Sequence, residues 1–147
     1  MRPPENIFEI LLVEDNPGDI RLTQEILKHS KLIKQIHVVF DGEDALNFLM
    51  RKAPYENANR PHLILLDLNL PRRSGLEVLA VLKKDNELKH IPVVVLTSSD
   101  AEHDISKSYK LHANAYITKP VDFEQYSYIV NYIEKFWFSL AKLPKTK

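Results

Sequence analysis

The sequence predicts an α/β fold, a doubly wound parallel sheet of five strands in a (βα)5 arrangement. Two observations carry that prediction. Short apolar runs recur at residues 7–13, 35–40, 62–66, 91–96 and 115–118, and strands buried on both faces read as such runs. Between them lie stretches whose apolar residues recur at helical spacing. Strand–helix alternation of this kind builds a parallel sheet through right-handed crossovers. A third observation concerns where the runs stop. Four of them end on reactive polar residues: Glu14 with Asp15, Asp67, Thr97, and Lys119. In an open parallel sheet the ligand site lies beyond the carboxyl ends of the strands. These side chains therefore share one edge, an acidic site ready for Mg²⁺, with a hydroxyl and an ammonium for an oxyanion.

After the first strand, Asn16 suits a helix N-cap and Pro17 the first helical position. That helix carries Leu22, Ile26 and Leu27 on one face. In 35–40, Ile36, Val38 and Phe40 alternate with His37 and Val39, the pattern of an edge strand. Asp41-Gly42 turns the chain into a helix bearing Ala45, Phe48 and Leu49, and the polar stretch 51–61, with two prolines, reads as a surface loop or an extended helix end. The strand 62–66 is apolar almost throughout, which places it centrally. Ser74 and Glu77 have capping-box spacing ahead of a helix with Leu79 and Leu82. Pro92 stands near the start of the fourth strand, where a missing donor is tolerated.

The helix over 100–111 is thinly apolar, with Ile105 and Tyr109 as its anchors. Weak anchoring makes it the element most ready to shift. After the strand 115–118 comes an amphipathic helix over 123–140, whose inward stripe is Phe123, Tyr126, Val130, Ile133 and Trp137. Tyr128, Tyr132 and Phe136 repeat every fourth position on a different face. An apolar ridge of that kind marks an interface.

Composition narrows the classes. The chain has 147 residues, the size of one domain, with 20 basic and 20 acidic residues that cancel. No net charge draws it to nucleic acid or to an anionic membrane. There is no cysteine for disulfide or thiol chemistry, and no apolar stretch approaches the length of a membrane span. Arg2-Pro3-Pro4-Glu5-Asn6 is not followed by the apolar segment of a secretory signal. The expectation is a cytoplasmic protein without direct contact to nucleic acid or membrane, a single domain over 1–147 with its core at about 7–140. His29, His37, His62, His90, His103 and His112 lack metal-ligand spacing and stand in surface-like contexts.

Glu14-Asp15, Asp67, Thr97 and Lys119-Pro120, in that order on strands one, three, four and five, resemble the receiver domain of two-component response regulators. Asp67-x-x-x-Pro71 and Gly75 extend the match, which runs from Ile7 to about Trp137. The resemblance implies a flavodoxin-like sheet of order 2-1-3-4-5; that order is the worked example for this family in general accounts of doubly wound folds. It further implies that Asp67 is the phosphoacceptor, taking a phosphoryl group from a kinase histidine. It assigns Mg²⁺ to Asp15 and Asp67 directly, to Glu14 through water, and to the backbone carbonyl of Asn69. Thr97 and Lys119 would then bind the transferred group, Tyr116 would be an aromatic switch, and the Lys119–Pro120 peptide would be cis. Taken alone, Tyr116 is equally a half-buried strand tyrosine.

Only residues 141–147 lie beyond the last helix, so no output domain is expected. The expected behaviour is that of a non-enzymatic signalling protein, with self-phosphorylation and slow autodephosphorylation only. The loop 55–61 and the segment 136–140 resemble the small regulators paired with bacterial phytochrome histidine kinases. Lacking an output domain, such a chain needs a surface that changes, and the Tyr128–Tyr132–Phe136 ridge suits a homodimer. Two other readings stay open: a phosphate-independent scaffold, and a phosphatase of the haloacid dehalogenase type. The latter requires a second aspartate where this chain has Asn69.

Overall fold

The computed structural model describes residues 8–144; Ile7, the first residue of the predicted opening strand, lies outside them. The elements are β1 (Phe8–Val13), α1 (Pro17–Leu27), β2 (Ile33–Val39), α2 (Gly42–Leu49), β3 (Leu63–Leu66), α3 (Gly75–Lys84), β4 (Val93–Thr97), α4 (Glu102–Lys110), β5 (Ala115–Thr118) and α5 (Phe123–Lys135). A π-helical turn, Phe136–Leu140, follows α5. The strands form one parallel sheet in the order β2-β1-β3-β4-β5, as the resemblance implies. No helix among the described residues is long and apolar enough to cross a membrane.

The sequence patterns explain the sheet. Alternate residues of each central strand point to opposite faces, so a run apolar at every position fills two cores at once. Leu11, Val13, Ile64, Leu66, Val93 and Val95 pack with Ala45, Leu49, Val78, Leu79 and Leu82 on one side. Ile10, Leu12, Leu63, Leu65, Val94 and Leu96 pack with Ile20, Leu27, Tyr126, Val130 and Ile133 on the other. Removing one such side chain, for example Leu65→Ala, costs about 2–5 kcal/mol. Helix starts follow local chemistry: the side chains of Asn16, Asp41, Ser74 and Asp122 each accept a backbone N–H from the first turn that follows.

Register then positions the strand ends. Val13 pairs with both Val39 and Leu66, so Glu14 and Asp67 leave the sheet side by side. Thr97 pairs with Thr118, which brings Lys119 to the same edge.

The last helix departs from its predicted form. Tyr126, Val130 and Ile133 are buried as expected, but Phe123 is 66 % exposed and Phe138, not Trp137, completes the stripe. The π-helical turn, closed by the Ala141 N–H donating to the Phe136 carbonyl at 2.8 Å, widens the coil. Wider coiling carries residue 138 onto the face that an ideal α-helix would give to 137. Phe138 then stacks on Phe8 with ring centroids 4.9 Å apart.

The histidine expectation is also corrected. His37 and His62 are half-buried around Glu9: His37 Nε2 lies 2.9 Å from the Glu9 carboxylate, and the Glu9 N–H donates to His62 Nδ1 at 3.1 Å. Burial holds the His62 imidazole below its usual pKa, which suits an acceptor nitrogen. A single sequence cannot show that these residues of β1, β2 and the start of β3 are neighbours.

Gly75 opens α3 against the strand carrying Asp67. A Cβ there would lie 2.3 Å from the Asp67 carbonyl oxygen and 2.7 Å from Leu68 Cα, while the Gly75 N–H donates to the Leu68 carbonyl at 2.9 Å. Only glycine permits this approach. Gly75→Ala is expected to lower unfolding stability by about 2 kcal/mol or more. A urea midpoint unchanged from wild type would show that the β3–α3 connection yields freely.

Candidate functional site

The carboxyl edge of the sheet gathers Glu14, Asp15, Asp67, Thr97 and Lys119 as the sequence predicts, and adds Asp19 from the first turn of α1. Asp67 and Glu14 are almost fully buried, Thr97 is completely so, and Asp15 is exposed. The Thr97 hydroxyl donates to Asp67 Oδ1 at 2.7 Å, and the Asn69 N–H reaches the same oxygen at 3.1 Å. The Lys119 ammonium, its side chain 8 % exposed, donates to Glu14 Oε1, to Asp19 Oδ2 at 2.9 Å and to Asp67 Oδ2 at 3.0 Å. Oxygens of Glu14, Asp15 and Asp67 lie within 4.8 Å of one another.

Charge in so small a volume redistributes protons. Burial pushes the Glu14 carboxyl up to about 7, against the pull of Lys119, and the neighbouring Asp67 charge adds to the rise. Burial opposes ionisation of Asp67 as well. There the Thr97 hydroxyl and the Lys119 charge prevail and hold the carboxyl below its usual range. Lys119 is likewise penalised by burial, but its hydrogen bonds to Glu14 and Asp19 raise it above an ordinary lysine. Asp67 is therefore the ionised, oriented carboxylate of the set, the state a carboxylate nucleophile needs. The all-oxygen cluster is the donor chemistry a hard divalent cation prefers, and exposed Asp15 gives it access.

Beyond this cluster, Tyr116 is half-buried on β5 and its hydroxyl donates to the Ser99 carbonyl at 2.7 Å, two residues past Thr97. The Tyr116 N–H donates to the Tyr109 hydroxyl at 3.1 Å, satisfying part of the sheet's outer edge. Tyr109 thus acts through its hydroxyl, with half its surface exposed, and Ser108 is the fully buried residue of α4. Pro120 is half-buried beside Lys119, and their peptide bond is trans. The cis X–Pro bond among the described residues is Ala53–Pro54; the two isomers differ little in energy before proline, so local packing decides.

Asp19 escaped the sequence reading. It stands one helical turn beyond Asp15, but nothing in its own segment marks a partner 100 residues away. Tyr128 and Tyr132 are not among the groups gathered here; they are exposed on α5 with ring centroids 6.3 Å apart.

Comparison with known proteins bears directly on this geometry. The family model described as the response regulator receiver domain matches residues 10–131. The chain belongs to the response regulator receiver family. Response regulator Rcp1 of Synechocystis sp. is 49 % identical over 135 residues, 92 % of each chain. The phosphorylated cyanobacterial phytochrome response regulator RcpA superposes with a TM-score of 0.92 at 52 % identity, covering 94 % of this chain and 99 % of that one. The Mn²⁺-bound form of Rcp1 also gives 0.92, at 47 % identity over 95 % of this chain and 100 % of that one.

The raised Glu14 carboxyl has a measurable consequence in chelator. Its pKa is about 7 in the folded chain and about 4.3 unfolded. Between those values the folded state binds the extra proton, so this group's contribution to stability falls as pH rises. Wild type is expected to lose more unfolding free energy than Glu14→Gln between pH 5 and pH 7.5. Parallel curves from denaturant titrations would place the shared proton elsewhere.

Proposed function

We propose that this receiver takes a phosphoryl group from a histidine kinase onto Asp67 and signals through the conformation of its last strand and helices. The observation that carries the reading is the Asp67 carboxylate, ionised and held between the Thr97 hydroxyl at 2.7 Å and the Lys119 ammonium at 3.0 Å. A carboxylate oxygen of Asp67 attacks phosphorus, the P–N bond to the kinase imidazole breaks, and the nitrogen leaves with its electron pair. Asp67 becomes a mixed acyl phosphate. Thr97 and Lys119 donate to the transferred oxygens. In phosphoryl transfer, positioning and charge stabilisation of this kind supply most of the catalysis.

Mg²⁺ fits the donor set. Asp15, Asp67 and the Asn69 carbonyl would hold it directly and Glu14 through water. Once bound, it neutralises the crowded carboxylates and the incoming phosphoryl oxygens. The similarity to RcpA, a cyanobacterial phytochrome response regulator, supports a bacterial phytochrome kinase as donor.

A small phosphodonor with Mg²⁺ is expected to add one base-labile phosphate to wild type and none to Asp67→Ala, read by mass spectrometry. An adduct that persists in the variant overturns the assignment. Transfer from a panel of purified histidine kinases, phytochrome kinases included, then identifies the partner class.

Output requires a surface that responds. Thr97 hydrogen-bonds Asp67 from the end of β4, and Tyr116 ties β5 to the loop after it. The two therefore carry a change at Asp67 toward the β5 edge. On the outer face of α5, Tyr128 and Tyr132 are largely exposed and Phe136 is 43 % exposed; the groove beneath them is lined by Ile117, Ile129 and Ile133. α4 packs on β5 and α3, while α5 packs on α1. The ridge suits a twofold homodimer.

Aromatic anchors at the centre of such a patch contribute about 2 kcal/mol or more each. Replacing Tyr128 and Phe136 together by Ser is expected to yield a folded monomer that still accepts phosphate. Sedimentation showing wild type monomeric at tens of micromolar, with and without phosphate, removes the dimer.

A further inference from the structure

We propose that Asp19 is a positioning residue, the dedicated counter-anion that keeps the Lys119 ammonium over Asp67 when a divalent cation occupies the site. The inference rests on Asp67 being the phosphoacceptor and adds a role for a residue outside the ligand set. Lys119 has three N–H donors, and Glu14, Asp19 and Asp67 take one each. Glu14 and Asp67 also belong to the carboxylate cluster that suits a cation; Asp19 does not.

A cation drawn in by those carboxylates competes with the ammonium for their oxygens and repels it, because both are positive and a few ångströms apart. The two then draw on the same oxygens, and an anion outside that set relieves the competition. Asp19 supplies that anion from a fixed base. It lies in the first turn of α1, where the helix N-terminus favours a negative charge, and the Asn16 side chain accepts its N–H at 3.0 Å. The helix itself is tied to α5 by the buried Thr23–Tyr126 pair at 3.0 Å, and just beyond its end the Ser30 hydroxyl donates to Glu134 of α5 at 2.7 Å. Asp19 can therefore hold the ammonium from the side while Glu14 and Asp67 turn to the metal.

The test compares wild type, Asp19→Asn, Asp19→Glu, Lys119→Met and Asp19→Asn/Lys119→Met, full-length, with thermal melts to verify folding. Nitrogen-15 NMR of the lysine ammonium groups reads Lys119 without reference to phosphorylation. In Mg²⁺-free protein, wild type and Asp19→Asn both keep a slowly exchanging Lys119 signal. With saturating Mg²⁺ only wild type and Asp19→Glu keep it. Loss of the signal from wild type on adding Mg²⁺, or its survival in Asp19→Asn, overturns the proposal.

At saturating Mg²⁺ and small phosphodonor, Asp19→Asn is expected to slow phosphorylation about tenfold, the loss of one charge-assisted hydrogen bond. The same change in the Lys119→Met background has no further effect. An equal slowing in both backgrounds means that Asp19 acts independently of Lys119 and overturns the proposal. If wild type accepts no phosphate at all, the kinetic arm falls with the proposed function, and the NMR arm still decides the role of Asp19.

Discussion

Carboxylates crowded around a single ammonium constrain everything at the functional edge. Glu14, Asp19 and Asp67 share Lys119, while Asp15 stands exposed beside them. One lysine cannot neutralise so many acids, and burial makes each uncompensated charge expensive. The protein meets this by raising the Glu14 carboxyl well above the usual carboxylate range, by orienting Asp67 with a hydroxyl and a backbone N–H, and by presenting oxygens that suit a divalent cation. Stability is traded against readiness: the arrangement that is awkward without metal is complementary to metal plus phosphoryl group.

The frame that imposes the crowding is the register of the sheet. Parallel pairing of Val13 with Leu66 aligns the ends of β1 and β3, and the contact of Gly75 with the Asp67 carbonyl prevents the chain from relaxing away. Both cores consist of branched aliphatic side chains almost wholly removed from water, so the strand ends behave as one rigid rim. The backbone that carries the charged side chains is thereby set before chemistry begins, a condition that favours electrostatic catalysis.

Away from the rim, the molecule is built to yield. α4 buries only Ser108 completely and joins β5 through the hydroxyl of Tyr109, while Tyr116 links β5 to the Ser99 carbonyl. These are single polar contacts, weaker than the packing that holds α2 and α3. The β5 edge and α4 are therefore the least anchored part of the fold beside the site. The outer face of α5 presents its aromatic ridge beside that edge.

The sequence by itself determined the element order, the (βα)5 pattern and the placement of Asp67, Glu14, Thr97 and Lys119 at strand ends. Each of these follows from periodicity along one segment, and strand order came from the family resemblance. Tertiary structure decided what periodicity cannot see. Asp19 meets Lys119 across 100 residues of chain, and Glu9 gathers His37 from β2 and His62 from the residue just before β3. A π-helical turn moved the buried position from Trp137 to Phe138, and Phe123, at the opposite end of α5, stands in solvent. The physical reason is common to all three. A side chain's spacing reports the geometry of its own element, whereas its partners and its protonation depend on which other elements the packed core brings within a few ångströms.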